Sequence, residues 1–398
     1  MGSVPEEPVM KNRTFLVLDD GTVYSGWGFG AEAPLIDTLN APITNAPAPE
    51  KAAGEVVFNT AMSGYHEVLT DPSYTGQIVT MTYPHIGNYG DDSDWSEVGP
   101  EGQKKRLGVK AAGFVVRSVH SGPIPDGRTS LHDFLSQNQT PAITDVDTRD
   151  LTLRLRSGGS LVGVLVRGSD NDRRTLTAVE LTRAMEFLKS FPSMEGRNLI
   201  GDVGTDEIET FNPEGKVHIA LLDCGAKANI LREMIALGCK VTVFPSGSDS
   251  AAIAERDPDA LLVSNGPGDP AVLTNQIQTI KSFIGKLPTF GVCLGHQLIA
   301  LALGASTYKM KFGHHGVNHP VRDERTGRVF VTSQNHGFSV EENGLPPGTD
   351  IWFRNANDGT IEGLIDEKRR VLCAQFHPES APGPHDSTWI FSEFLKHI

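Results

Sequence analysis

The sequence predicts an α/β protein in two parts: a C-terminal open, mostly parallel sheet flanked by helices, preceded by a β-rich α+β domain. Three observations lead there. From Val217 onward, short apolar runs alternate with helical patterns at the spacing of a parallel sheet with crossover helices. Near the N-terminus, Thr14–Gly30 sets two apolar runs around Asp20-Gly21, a hairpin signal. And 398 residues are more than one ordinary core serves. The expected boundaries are 13–200 for the first domain, 201–216 for a linker and 217–398 for the second.

In the first domain the hairpin is followed by Ala31–Ala53, rich in Ala and Pro and read as an exposed loop. Strands are expected at Glu55–Thr60, Gln77–Tyr83 and Val109–Val119, and helices at Leu131–Gln137, Thr148–Ser157 and Ala178–Ser190. Gly158-Gly159 provides a helix stop. The segment Gly201–Lys216 has few large apolar residues and several turn formers, hence its reading as a linker.

In the second domain the runs VHIALLD, KVTVF, DALLVSN and PTFGV are continuously apolar, as in strands covered on both faces. Helical patterns separate them at Lys227–Leu237, Asp249–Arg256 and Val272–Lys286, and another follows at His296–Leu303. Val329–Val340, Asp350–Arg354, Gly359–Ile365 and Val371–Phe376 read as antiparallel strands, and Ser387–Leu395 as a closing helix.

Hydrophobic residues make up 38% and charged residues 21%, the balance of a globular chain rather than a disordered one. A net charge of −14 would repel a nucleic-acid backbone overall. The four cysteines, Cys224, Cys239, Cys293 and Cys373, form no CxxC pair, so neither a zinc site nor a redox pair is expected. Met1–Lys11 is acidic and Pro-rich without an apolar core, unlike a secretory signal, and no apolar run reaches a membrane span. A cytoplasmic chain with free thiols is expected. Residues 1–12 read as a disordered lead-in, with Met10 as an alternative start.

Chemistry concentrates in three motifs. GVCLGH, Gly291–His296, lies between a strand and a helix and matches the sharp turn of a nucleophile elbow. Small flanking residues permit the turn, the helix N-terminus favours a sulfur anion, and the amide of Leu294 can donate to an oxyanion. A lone cysteine on a strand is otherwise a small core residue. NGPGDP, Asn265–Pro270, follows the strand DALLVS. In open parallel sheets ligands bind at such strand ends, and glycines let backbone N–H groups come close, although Asn-Gly and Pro-Gly also make plain turns.

QFHPES, Gln375–Ser380, ends an apolar strand. His377 and Glu379, two apart, would face one side of an extended segment, so Glu379 can orient an imidazole that takes the proton of Cys293. Lys309–Pro320 and Ser333–Val340 read as polar loops crowded with His, Asn and Gly. Three histidines in the first raise a metal, but no Cys or carboxylate stands at ligand spacing, so none is expected. Lys227 opens a helix, either paired with a neighbour such as Asp223 or solvated. His66, His85, His120, His132 and His397 have no chemical context.

Together NGPGDP, GVCLGHQLIALALGA and QFHPESAPGPHDS resemble the class I (triad) glutamine amidotransferases, whose sheet is flavodoxin-like. DCGAKANILREM, KMKFGHHGVNHPV, SQNHGFSV, the block Gly54–Gly90 and Ile143–Ser160 narrow the resemblance to the small subunit of glutamine-hydrolysing carbamoyl-phosphate synthetase. It covers the chain from about Thr14. The resemblance implies that Cys293 attacks the carboxamide of glutamine to form a γ-glutamyl thioester, His377 shuttles protons and Glu379 orients it. It also implies glutamine recognition by Gly266, Gly268, Leu294, Gln297, Asn335, Gly337 and Phe338. The partner implied is a large synthetase subunit that binds ATP and Mg and makes carbamoyl phosphate for arginine and pyrimidine biosynthesis. This chain itself needs no cofactor and shows no Walker A loop. Ala61 stands where the bacterial pattern often has Ser, so no substrate contact is carried to it. Other readings are another class I amidotransferase, a non-catalytic docking and regulatory subunit, and a cysteine peptidase or γ-glutamyl hydrolase.

Overall fold

The computed structural model describes residues 12–39, 51–99 and 108–398. The expected lead-in up to residue 11, Met10 as a start and the middle of the Ala31–Ala53 segment lie outside them. The chain divides into two compact units, 1–96 with 108–194, and 97–107 with 195–398.

In the first unit the Asp20-Gly21 hairpin forms as read, Arg13–Leu18 pairing antiparallel with Val23–Gly30. Its strands continue through Pro141–Thr144, Gly113–Val115, Gln77–Met81, Ala53–Asn59 and Leu161–Arg167, which closes the barrel back onto Arg13–Leu18. Alternation along the strands sorts the two faces. Leu16, Leu18, Val56, Ile78, Val115, Ile143 and Leu165 pack in one cluster, and Phe15, Val17, Val164 and Val166 pack with Ala184, Phe187 and Leu188 of the helix Ala178–Ser190. That helix starts on a capping box: the Thr177 side chain accepts from the Glu180 N–H, while Glu180 accepts from Thr177. The described ends of Ala31–Ala53 are only in part an exposed loop: Glu32, Leu35, Asp37 and Thr38 are exposed. Ile36 is fully buried in a short 3-10 turn, and Ala52 and Ala53 are buried at the start of a barrel strand. Apolar side chains at those positions find a core, which composition alone did not show.

The second unit is a ten-stranded sheet among the described residues. From one edge the order is Glu209–Phe211, Cys239–Pro245, Val217–Asp223, Ala260–Val263, Thr289–Val292, Val371–Ala374, Ile361–Asp366, Asp350–Asn355, Thr307–Asp323 and Val329–Val340. The five strands from Cys239–Pro245 to Val371–Ala374 are parallel, and the rest run antiparallel. Both faces are covered. Ile219, Leu221, Val241, Val243 and Phe290 lie in one apolar cluster, and Ala220, Leu222, Phe244, Leu261 and Val263 in the other.

Two sequence readings change here. The stretch 201–216 is no free linker: Glu209–Phe211 adds an antiparallel edge strand, and the Thr205 N–H donates to Asp223 Oδ2 at 2.8 Å. Lys309–Pro320 is not a loop, and for Ser333–Val340 the strand reading Val329–Val340 holds rather than the loop reading. They belong to two long paired strands, Thr307–Asp323 and Val329–Val340, whose register shifts twice. Their polar residues hid the strand pattern because the polar side chains themselves are buried and bonded to one another. No helix among the described residues is long and apolar enough to cross a membrane.

Candidate active site

Four adjacent parallel strands deliver the chemical groups from their carboxyl ends. Val217–Asp223 leads to Lys227, Ala260–Val263 to the Asn265–Pro270 loop, Thr289–Val292 to Cys293, and Val371–Ala374 to His377 and Glu379. This is where an open parallel sheet binds its ligands.

Cys293 sits at φ 54° and ψ −104°, a region that L residues rarely occupy, and it precedes the ten-residue helix Leu294–Leu303. The surroundings hold it there. The Cys293 N–H donates to Ala374 O at 2.8 Å and the Gln297 N–H to Cys293 O at 3.2 Å. A Cβ on Gly295 would collide with Val263 O, and one on Gly291 would collide with the Gly295 backbone, so the turn admits only glycine at both flanks. The strained elbow read from GVCLGH is therefore built.

The Cys293 thiol donates to the Asn335 carbonyl at 3.6 Å. The Asn335 side-chain oxygen meets His315 Nδ1 at 3.0 Å, and burial holds His315 neutral, its pKa pushed down to about 3. His377 hangs on the same strand as Asn335, its N–H donating to Ser333 O at 2.9 Å. His377 and Glu379 do not share one face of an extended strand. They stand in a turn after it, where His377 Nδ1 donates to Glu379 Oε1 at 2.6 Å. Lys227 Nζ approaches the same oxygen at 2.9 Å. All four side chains are buried, none more than 2% exposed.

Burial opposes charge on His377 and Glu379, yet the neighbours win. The Glu379 carboxylate and Cys293 raise His377 well above an ordinary imidazole, and Lys227 and His377 hold Glu379 well below an ordinary carboxyl. The Cys293 sulfur is the partner of the His377 imidazole on its other side, which places His377 to hold the proton that leaves sulfur. Lys227 thus pairs with Glu379, a partner the sequence reading did not name. The Asp223 oxygens receive the N–H groups of Gly225, Ala226 and Thr205. The lysine's partner lies more than 150 residues away, which no local pattern reveals.

Among the residues expected to recognise glutamine, Gln297 Nε2 donates to Phe338 O at 2.9 Å and to Gln375 Oε1 at 3.0 Å. Those bonds tie the elbow helix to the strand carrying Asn335, Gly337 and Phe338. Gly266 is glycine for a packing reason: a Cβ there would strike Cys224 O and the Leu294 side chain. Gly268, at φ +96°, would strike Arg197 O. Residues Cys293, Asn335, His377, Glu379 and Gln297 with Phe338 thus converge on one buried cluster, and Gly266 touches it through Leu294. Sequence reasoning passed over Asn265, whose side chain accepts the Lys227 N–H at 2.9 Å, and over Gln375 and Ser333.

Among the described residues, three groups could hold a metal: His314, His336 and Glu362. Spacing had offered no carboxylate, and folding brings Glu362 in. His336, however, uses both ring nitrogens, on Phe338 O at 2.8 Å and Gln334 Oε1 at 2.9 Å. Glu362 accepts from Gln334 and Asn355. Burial works against a proton on His314, but Asp358 and Glu362 outweigh it and push the imidazole up to about 9. The cluster is an internally bonded ion network.

An elbow cysteine, a histidine and a glutamate at the ends of parallel strands define a class I glutamine amidotransferase, and residues 220–397 match the family described as glutamine amidotransferase class-I. Residues 16–165 match the carbamoyl-phosphate synthase small chain, CPSase domain. The carbamoyl phosphate synthase small chain of Methanococcus maripaludis (strain C7) is 42% identical over 387 residues, spanning 96% of both chains. That of Rhodopirellula baltica is 40% identical over 407 residues, spanning 96% of this chain and 95% of its own. A crystal structure of a glutamine amidotransferase from Thermotoga maritima is 18% identical, covers 41% of this chain and 76% of that one, and aligns with a TM-score of 0.33. The chain belongs to the carbamoyl phosphate synthase small chain family.

Proposed function

We propose that the chain is the glutamine-hydrolysing subunit of a carbamoyl phosphate synthase, and that Cys293, His377 and Glu379 carry the hydrolysis. The sulfur gives its proton to His377 and attacks the side-chain amide carbon of glutamine. The oxyanion that develops takes hydrogen bonds from the Leu294 N–H and the Gly266–Gly268 loop, donors of a kind worth about 3–4 kcal/mol each. As the C–N bond breaks, His377 returns the proton to the leaving nitrogen, and ammonia departs from a γ-glutamyl thioester. Water, deprotonated by His377, then cleaves the thioester to glutamate and frees the thiol. Glu379 holds the imidazole's tautomer and stabilises its charge. Gln297, Asn335, Gly337 and Phe338 frame the substrate in this reading.

The partner we propose is a large synthetase subunit, in the cytoplasm, which binds ATP and Mg and condenses the ammonia with bicarbonate. The observation that carries the reading is the buried file Cys293, His377, Glu379 and Lys227 assembled from three strand ends. The test is Cys293→Ser in the chain assembled with its large subunit. Glutamine-dependent synthesis should vanish while synthesis from added ammonia persists. Loss of both activities, or of neither, overturns the role of Cys293.

A further inference from the structure

We propose that Glu97 is a positioning residue of this glutaminase site: it fixes the start of the helix that carries Lys227, and so the ion pair that aligns Glu379 on His377. The inference rests on the function proposed above and deepens it.

Glu97 precedes the second unit's main run by about a hundred residues, yet it belongs to that unit. Its side chain is fully buried. The helix Ala228–Ala236 begins after Lys227, which occupies the N-cap position without a side-chain capping bond. An ammonium cannot accept the free N–H groups of a first turn. Glu97 accepts them instead. Its carbonyl takes the Ala228 N–H at 3.1 Å and its carboxyl Oε2 takes the Asn229 N–H at 3.3 Å. Val98 forms a bridge with Lys227 itself, and the Lys227 N–H donates to Asn265 on the other side. The lysine backbone is therefore clamped between two segments, and its Nζ lands on the oxygen of Glu379 that also accepts from His377.

Electrostatics couple the same groups. Burial raises Glu97 to about 8; Lys227 opposes the rise, Glu379 adds to it, and Arg232, its Nη1 3.9 Å from Oε1, opposes it. At neutral pH Glu97 is a neutral acid, which leaves the Lys227 ammonium to Glu379. As Glu97 ionises, two carboxylates compete for one ammonium, and the hold on His377 loosens.

The experiment measures glutamine hydrolysis by the full chain in complex with its synthetase subunit across pH 6–10, for wild type, Glu97→Gln and Glu97→Ala, with Cys293→Ala as control. Glu97→Ala should lower kcat about tenfold or more and leave KM for glutamine within about twofold. Glu97→Gln mimics the neutral acid, so it should recover most of the lost rate at pH 7. It should also lack the fall in rate near pH 8 expected of the wild type. Thermal unfolding gives a second readout. A carboxyl raised by folding costs stability as pH climbs from its unfolded value to its folded one. The Tm of Glu97→Gln should therefore decline less than that of wild type between pH 5 and 8. A mere helix cap would lower Tm and leave the pH profile untouched. A Glu97→Ala protein with wild-type kcat and pH profile overturns the inference, as does a rise in KM alone or a Glu97→Gln protein no more active than Glu97→Ala. Hydrolysis that survives Cys293→Ala overturns the glutaminase reading itself, and this inference with it.

Discussion

The barrel and the open sheet bury polar groups in opposite styles. In the barrel unit, buried polar side chains close in short pairs: Asn59 Nδ2 donates to Tyr74 Oη at 2.8 Å, and His66 Nδ1 meets Asp91 Oδ1 at 2.9 Å. In the sheet unit, ionisable groups form chains. Lys227, Glu379 and His377 make one, with the neutral acid Glu97 beside it, and the buried His314 and Glu362 make another with the exposed Asp358. Taking ions out of water costs several kcal/mol each unless geometry returns it. A fold that only had to stand would avoid such chains. The first chain lies at the carboxyl ends of the parallel strands, where stability has been exchanged for chemistry.

The sharpest way to break this contrast is Glu379→Gln. It should lower glutamine hydrolysis by about 100- to 10,000-fold, read as initial ammonia release, with the protein still folded by circular dichroism. A variant of near wild-type rate would reduce the charge chain to architecture. The converse belongs in the barrel. Leu165→Ala should cost about 2–5 kcal/mol of that unit's stability, measured by urea unfolding, with kcat for glutamine unchanged. A large loss of kcat at full occupancy of the fold would mean that the barrel shapes the chemistry.

The second ion chain sharpens the comparison through pH. His314 is lifted above its unfolded value of 6.5 to about 9, so its contribution is fully present below pH 6.5 and disappears as pH rises through 9. Wild type should lose on the order of 3 kcal/mol over that window, and His314→Gln should flatten the loss; unfolding midpoints at pH 6 and 9.5 decide it. The smallest effect is at the barrel's helix. Thr177→Ala removes one capping bond and should cost about 1 kcal/mol, seen as a lower midpoint with no change in pH dependence.

What the sequence disclosed follows the range of the interactions. Helices Leu131–Gln137 and Ala178–Ser190 were legible to the residue because caps and periodicity are local. The elbow was legible because Gly291, Cys293 and Gly295 lie within five residues. Barrel closure was not, since Arg13–Leu18 finds Leu161–Arg167 across some 145 residues of chain. The strand Val329–Val340 that carries Asn335 was legible, but its partner Thr307–Asp323 escaped because its polar side chains break the alternation that marks a strand. Glu97 and the true partner of Lys227 escaped for a related reason. Charged residues are rarely buried, so a pattern reader assigns them to the surface.

The burial of all four thiols has a practical side. Burial lifts Cys224 and Cys373 to about 12 and Cys239 to about 11, which keeps them as inert thiols at working pH. Cys293 alone combines a helix N-terminus with a facing imidazole. A compact chloroketone shaped like glutamine should therefore titrate one equivalent per chain, so that functional molecules can be counted in any preparation without first engineering away the remaining sulfurs.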